Sequence, residues 1–323
     1  MKMGNKMEKK PLTIITGPTA SGKTALGIAL AKEIDGEIIS ADSLQIYRGM
    51  DIGTAKPSIE EMDGIVHHMI DIKDPAENYS VAEYLSAASA CIEDVLARGK
   101  QAILLGGTGL YIEALLAGER FATAPQDAEI RAKLETVYDA IGGQAMWEKL
   151  RKIDDESAQI LHPNDKRRIV RALEIYEISN EAMSAFNKRS KAEETPYHSL
   201  YIALNAVDRA DLYQRIDWRV DLMLADGLLE EVEQLQKQGV LREYTSMQAI
   251  GYKELFAVLS GETSLLEATE TIKQESRRYA KRQLSWIRRK SDDNWLLWDK
   301  KPNMEQLLEE TIKRYKACFV EKG

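Results

Sequence analysis

The chain has 323 residues, a net charge of −8, 44% hydrophobic and 30% charged residues. This is the profile of a globular protein long enough for one domain plus an insertion. No run approaches the roughly 20 apolar residues of a membrane span, and Met1–Lys10 reads as a polar tail without the apolar centre of a secretory signal, so a cytoplasmic protein is expected.

Leu12–Thr16 (LTIIT) predicts a short buried strand, and Leu26, Leu30 and Ile34 recur at helical spacing after it. Between them, Gly17-Pro18-Thr19-Ala20-Ser21-Gly22-Lys23-Thr24 fits G-x-x-x-x-G-K-[ST] without exception. Such glycines let successive N–H groups converge on an anion at a helix N-terminus. Lys23 would reach the terminal phosphate oxygens, and Thr24 would offer its hydroxyl to Mg²⁺. The motif reports phosphate rather than ATP. The later strand that would carry a Mg²⁺-supporting Asp in a typical P-loop NTPase ends instead in Gly-Gly-Thr.

A second strand, Glu37–Ser40, runs into Ala41, Asp42 and Ser43. Val81–Ala97 predicts a helix with Val81, Leu85, Ala88, Ile92 and Val95 or Leu96 on one face, and Gln101–Leu105 a third strand stopped by Gly106–Gly107. A helix follows through Leu115. Strands alternating with helices imply an α/β fold, a P-loop parallel sheet core flanked by helices. In such sheets ligands lie outside the carboxyl ends of the strands, where the loop, Asp42 and Thr108 fall. Asp42 suits a general base, and equally a helix cap. Spacing leaves both open. Thr108 would hydrogen-bond that carboxylate or the incoming nucleophile.

From Asp127 onward the chain is charge-rich and helix-patterned, and Pro163–Asn164–Asp165 opens a helix with Ile169, Leu173 and Tyr176 on one face. Asn187–Pro196 reads as a linker, and Leu200–Leu204 returns to strand character. The expected organisation is a core in two parts, residues 11–126 and 191–323, around an all-helical insertion domain, 127–190. Asp208–Gln238 and Ser264–Arg289 predict helices, and Trp295–Trp298 a late strand. Within this acidic chain, Arg277–Lys290 holds seven basic residues and no acid. Ala280, Leu284 and Ile287 would pack inward, leaving Arg277, Arg278, Lys281, Arg282, Arg288 and Arg289 for phosphates. Arg167, Arg168 and Arg171 place further positive charge on the insertion. Cys91 and Cys318 sit in no paired spacing, so neither a disulfide nor a zinc site is expected. His67–His68 read as structural, and Trp147, Tyr176 and Trp218 as packing residues.

Ile39–Pro57 (ISADSLQIYRGMDIGTAKP), GPTASGKT at Gly17–Thr24 and GGTGLY at Gly106–Tyr111 resemble the tRNA dimethylallyltransferase family, the bacterial isopentenyl-tRNA transferases. The resemblance continues through HPND at His162–Asp165, RAL at Arg171–Leu173, QAIGYKE at Gln248–Glu254 and AKRQLSWIR at Ala280–Arg288. It covers almost the whole chain. It implies transfer of a dimethylallyl group from dimethylallyl diphosphate to N6 of the adenine 3′ of the anticodon. Gly17–Thr24 would hold the diphosphate with Mg²⁺ near Thr24, Asp42 would be the base, Thr108 would assist it, and Lys23 and Arg219 would attend the leaving group. Asp42, Ser43, Leu44, Gln45, Thr108, Arg131, Arg167, Arg168, Arg171, Gln248, Gly251 and Lys253 would face the tRNA anticodon stem-loop. The basic strip adds Arg278, Lys281 and Arg282. No protein partner is expected, and the chain would act as a monomer. Two alternatives remain open at this stage: prenylation of free adenosine nucleotides, and a P-loop small-molecule kinase in which Asp42 activates an alcohol.

Overall fold

The structure, a computed structural model, describes residues 9–117, 125–190, 195–289 and 294–321. In chain order it begins with β1 (Lys10–Thr16), α1 (Lys23–Glu33), β2 (Gly36–Ser40), α2 (Ile59–Met62) and β3 (His67–His68). Then come α3 (Val81–Ala97), β4 (Gln101–Gly106) and α4 (Gly109–Ala117). Five helices follow: α5 (Ala128–Ile141), α6 (Gly143–Ile153), α7 (Asp155–Ile160), α8 (Lys166–Ser179) and α9 (Met183–Ser190). The chain then forms β5 (Tyr197–Ala206), α10 (Arg209–Ala225), α11 (Leu228–Lys237) and α12 (Tyr252–Leu259), followed by α13 (Leu265–Ile287), β6 (Trp295–Trp298) and α14 (Met304–Phe319).

The strands form one sheet in the order β3-β2-β4-β1-β5-β6, and every pairing is parallel. Parallel strands carry helices on both faces and therefore read as continuous apolar runs; Leu12 to Thr16 and all of β2 are buried. Register sets the function here. Thr16 lies beside Gly106 and Ala203, and Ser40 beside Leu105, so the carboxyl ends of four strands open on one edge.

Contact clustering divides the chain into two units: residues up to Leu116 with those from Pro196 onward, and Ala117–Thr195. The sheet unit holds one core around Ile15, Leu26, Leu30, Ile103, Ile202 and Leu284, and another around Tyr47, Val232, Tyr252 and Leu255. The helical unit packs Leu134, Met146, Leu150, Ile169 and Leu173. There Asp127 caps α5, accepting from the Glu129 and Ile130 N–H groups at 2.9 and 3.0 Å. Trp147 packs as expected, its indole N–H shared by the Ala158 and Leu161 carbonyls.

Three expectations change, and one strand appears that the sequence did not show. Lys10 belongs to β1 rather than to a tail, pairing with Tyr197; Met1–Glu8 lie outside the described residues. β3 has only two residues, too few to leave a period in sequence, and sits at the sheet edge. The helix expected over Asp208–Gln238 breaks at Gly227, whose φ of 101° is left-handed and favours glycine. The linker read over Asn187–Pro196 begins later, because α9 runs to Ser190; residues 191–194 lie outside the described residues.

Candidate active site

The loop between β1 and α1 is held open from several sides. Gly22, at φ 92°, supplies the left-handed turn into α1, and a Cβ at Gly17 would lie 2.6 Å from Ser21 Oγ and 2.8 Å from the Leu204 carbonyl. The Thr16 hydroxyl donates to the Gly106 carbonyl at 2.9 Å. Arg215 Nε donates to the Ala20 carbonyl at 3.0 Å, with its guanidinium 5.5 Å from the Trp298 ring centre. The Thr19 N–H donates to Gln283 Oε1 at 2.9 Å. Ser21 Oγ is buried without a hydrogen-bond partner.

Lys23 Nζ lies 3.4 Å from the Pro18 carbonyl. Burial lowers its pKa to about 8, Arg219 pushes the same way, and Asp42 opposes. The Arg219 guanidinium is likewise lowered by burial, and Asp42 is the first charge to oppose it. Lys23, Arg219 and Asp42 therefore feel one another directly. Two cations gathered without enough negative charge make a site electrostatically prepared for an anion.

Across the strand ends, the Ala41 N–H donates to the Leu105 carbonyl at 2.8 Å and the Thr108 N–H to the Ala41 carbonyl at 3.0 Å. These bonds place Thr108 beside the Asp42 turn. Thr108 Oγ1 accepts from the Ser43 N–H at 3.0 Å, and Asp42 Oδ1 accepts from the Leu44 N–H at 3.0 Å. No helix follows Asp42, so the helix-cap reading does not hold; the carboxylate closes a tight turn. The approach is close enough that a Cβ at Gly106 would meet the Ala41 carbonyl at 2.2 Å. Behind it, the Tyr84 hydroxyl donates to the Ser40 carbonyl at 3.1 Å while its ring stacks on Tyr111 at 3.8 Å. Gln45 is held within its own loop, accepting from Ser40 Oγ at 3.0 Å and donating to the Ala55 carbonyl at 3.2 Å.

Three residues of this site were missed in the sequence. Arg215 and Gln283 grip the loop, and Tyr279 sits where burial first, and then Asp42, raise its phenol well above the ordinary value. Tyr279 and Gln283 recur with Trp286 at i, i+4 and i+7, one step around α13 from the buried Ala280, Leu284 and Ile287, a spacing that ordinary helix shares; Arg215 has no such mark.

The residues expected to face RNA are dispersed. On α13, Arg277 pairs with Asp217 and Arg278 with Glu275, the latter at 2.6 Å, so the strip does have compensating acids, supplied from α10 and from the preceding turn. Lys281, Arg282, Arg288 and Arg289 are exposed with no acidic partner among the described residues, while Lys290 lies outside them. In the helical unit Arg131 and Arg171 both bond the fully buried Glu174 carboxylate at 2.8 Å. Arg168 pairs with Asp165 at 3.3 Å, and Arg167 is exposed. Gln248 donates to the Arg242 carbonyl at 2.7 Å and, with Lys253, lines a shallow pocket of about 290 Å³. Gly251 is buried at φ 97°, where it starts α12. Trp218 is not a packing residue, since it is 59% exposed on α10.

No group of three His, Cys, Asp or Glu able to hold a metal occurs among the described residues, and Cys91 and Cys318 are not joined in a disulfide. The partly exposed Thr24 hydroxyl at the start of α1 is an oxygen donor of the kind that could complete a Mg²⁺ held by phosphate oxygens.

A Gly17–Thr24 loop of this form, with a carboxylate and a hydroxyl beside it at the carboxyl edge of a parallel sheet, defines a P-loop α/β protein. The family model described as IPP transferase matches residues 45–290. The chain belongs to that family. It is 49% identical over 284 residues to the tRNA dimethylallyltransferase of Geobacillus thermodenitrificans, covering 88% of this chain and 89% of the relative. It is 46% identical over 303 residues to the enzyme of that name from a Thermoanaerobacter species, covering 94% and 96%. Among solved structures, the tRNA isopentenylpyrophosphate transferase of Bacillus halodurans matches with a TM-score of 0.72 at 42% identity, covering 98% of both chains. A eukaryotic dimethylallyltransferase acting on tRNA matches with a TM-score of 0.78 at 29% identity, covering 95% of this chain and 78% of the other.

Proposed function

We propose that this protein transfers a dimethylallyl group from dimethylallyl diphosphate to N6 of the adenine 3′ of the anticodon in tRNA, releasing diphosphate. The observation that carries the reading is the Gly17–Thr24 loop beside the Asp42–Thr108 turn at the strand ends, with Lys23, Arg219 and Asp42 near enough to act on one another electrostatically. The acceptor nitrogen is a weak nucleophile because its lone pair is delocalised into the purine. Its N–H becomes acidic as the C–N bond forms, and the Asp42 carboxylate then takes the proton. The allylic C–O bond breaks with its electron pair leaving on diphosphate, which the Gly17–Thr24 amides, Lys23 and Arg219 meet as preorganised charge. Mg²⁺ bound at Thr24 would neutralise further phosphate charge.

Thr108, bonded to the Ser43 amide, fixes the turn that aims Asp42. The target adenine must leave its stack to reach this edge, so base flipping is part of the reading. Lys281, Arg282, Arg288 and Arg289 supply phosphate contacts, and the helical unit adds Arg167 and Arg168 for the anticodon stem. A tRNA substrate sets this work in the cytoplasm. Incubation of the purified protein with tRNA and dimethylallyl diphosphate, followed by digestion to nucleosides, should yield N6-dimethylallyladenosine. Phosphoryl transfer from ATP without prenylation would point to a kinase instead.

A further inference from the structure

We infer that Gln283 is a positioning residue that couples the diphosphate loop to the RNA-facing helix, so that anion binding in the loop and RNA binding on α13 reinforce each other. The inference rests on the transfer reading for the identity of the two ligands. Its grounds are geometric. The Gln283 side chain is 6% exposed and uses both ends of its amide: Oε1 accepts from the Thr19 N–H at 2.9 Å, and Nε2 donates to the Gly107 carbonyl at 3.1 Å. It joins two backbone segments of the active edge that are not neighbours in sequence. A buried amide left half-paired is costly, so both bonds resist being broken singly.

The joint has no slack. A Cβ at Gly107 would sit 2.2 Å from Gln283 Nε2, and one at Gly109 would sit 2.3 Å from the Trp286 ring. The inner edge of α13 is thus locked to both sides of Thr108, whose hydroxyl holds the Ser43 amide next to Asp42. On the same helical turn, Lys281 and Arg282 are exposed and lack acidic partners among the described residues. A helix turn moves as one body. When those cations engage phosphates, any reseating of the turn reaches Thr19 and Gly107 through Gln283. By linkage, diphosphate in the loop must favour the same seating and tighten RNA binding by the same factor.

The test titrates a labelled anticodon stem-loop RNA with and without Mg²⁺-pyrophosphate, using wild type, Gln283→Met and Gly107→Ala. Methionine keeps the volume and removes both hydrogen bonds; the added methyl at position 107 displaces Nε2 from the other side, so one variant remains informative if the other fails to fold. In the wild type, pyrophosphate should raise RNA affinity by about 5-fold. In each folded variant that enhancement should vanish, measured against the same variant's RNA affinity without pyrophosphate. Equal RNA affinity with and without pyrophosphate in the wild type, or an enhancement retained in a folded variant, overturns the inference. Coupling is read from binding alone, so a wild type that fails to prenylate RNA would count against the transfer reading and leave this test standing.

Discussion

At Lys23 burial and the neighbouring Arg219 cation act together, and Asp42 opposes them. Desolvation and Arg219 lower the ammonium to about pH 8, and the arriving anion is what restores its charge. Below that pH Lys23 is protonated before binding; above it, the proton must be taken up as the anion arrives. Pyrophosphate affinity of the wild type, relative to Lys23→Ala so that titration of pyrophosphate itself cancels, should therefore be level below pH 8 and decline above it. A constant ratio from pH 7 to 9.5 would remove Lys23 from diphosphate binding. Besides its proposed role as base, Asp42 closes the turn on Leu44 through Oδ1. Asp42→Asn keeps that acceptor and removes the base, so kcat should fall by about 10²- to 10⁴-fold with RNA affinity retained; near-normal turnover would end the base assignment. The loop, Asp42 and Thr108 were legible in the sequence because each follows a strand and carries a recognisable turn chemistry. Arg215, Tyr279 and Gln283 were not, because their partners lie many residues away and their own spacing looks like ordinary helix.

At the scale of elements, the short glycine-rich turn after β4 works by letting two strands' ends touch. Gly106→Ala puts a methyl 2.2 Å from the Ala41 carbonyl. It should cost about 1–3 kcal/mol in denaturant unfolding and displace the Asp42 turn. α13 carries the opposite kind of information, on its outer side. Neutralising Lys281, Arg282, Arg288 and Arg289 together should flatten the slope of log affinity against log salt by about 3; an unaltered slope would move the RNA surface elsewhere. The strands with five or more residues were visible as apolar runs, whereas β3 contributes only two bridged pairs and left no pattern. The basic strip was also visible, but its partial neutralisation was not: Asp217, on another helix, can be matched to Arg277 only once α10 and α13 pack together.

In the whole molecule, an acidic chain presents cations in a few places and ties others down. Arg131 and Arg171 look free in the sequence, yet both close on the buried Glu174, which also accepts from the Asp127 amide at 2.9 Å. Glu174→Ala should destabilise the helical unit by about 1–3 kcal/mol, read as an earlier melting step, and weaken RNA binding only as far as that unit unfolds. The central claim is that the loop grips an isoprenoid diphosphate opposite Asp42. A crystal structure with an unreactive dimethylallyl diphosphate analogue tests it most directly. The account predicts both phosphates on the Gly17–Thr24 amides, within reach of Lys23 and Arg219, and the allylic carbon directed toward Asp42. Phosphates bound away from Lys23 would contradict it.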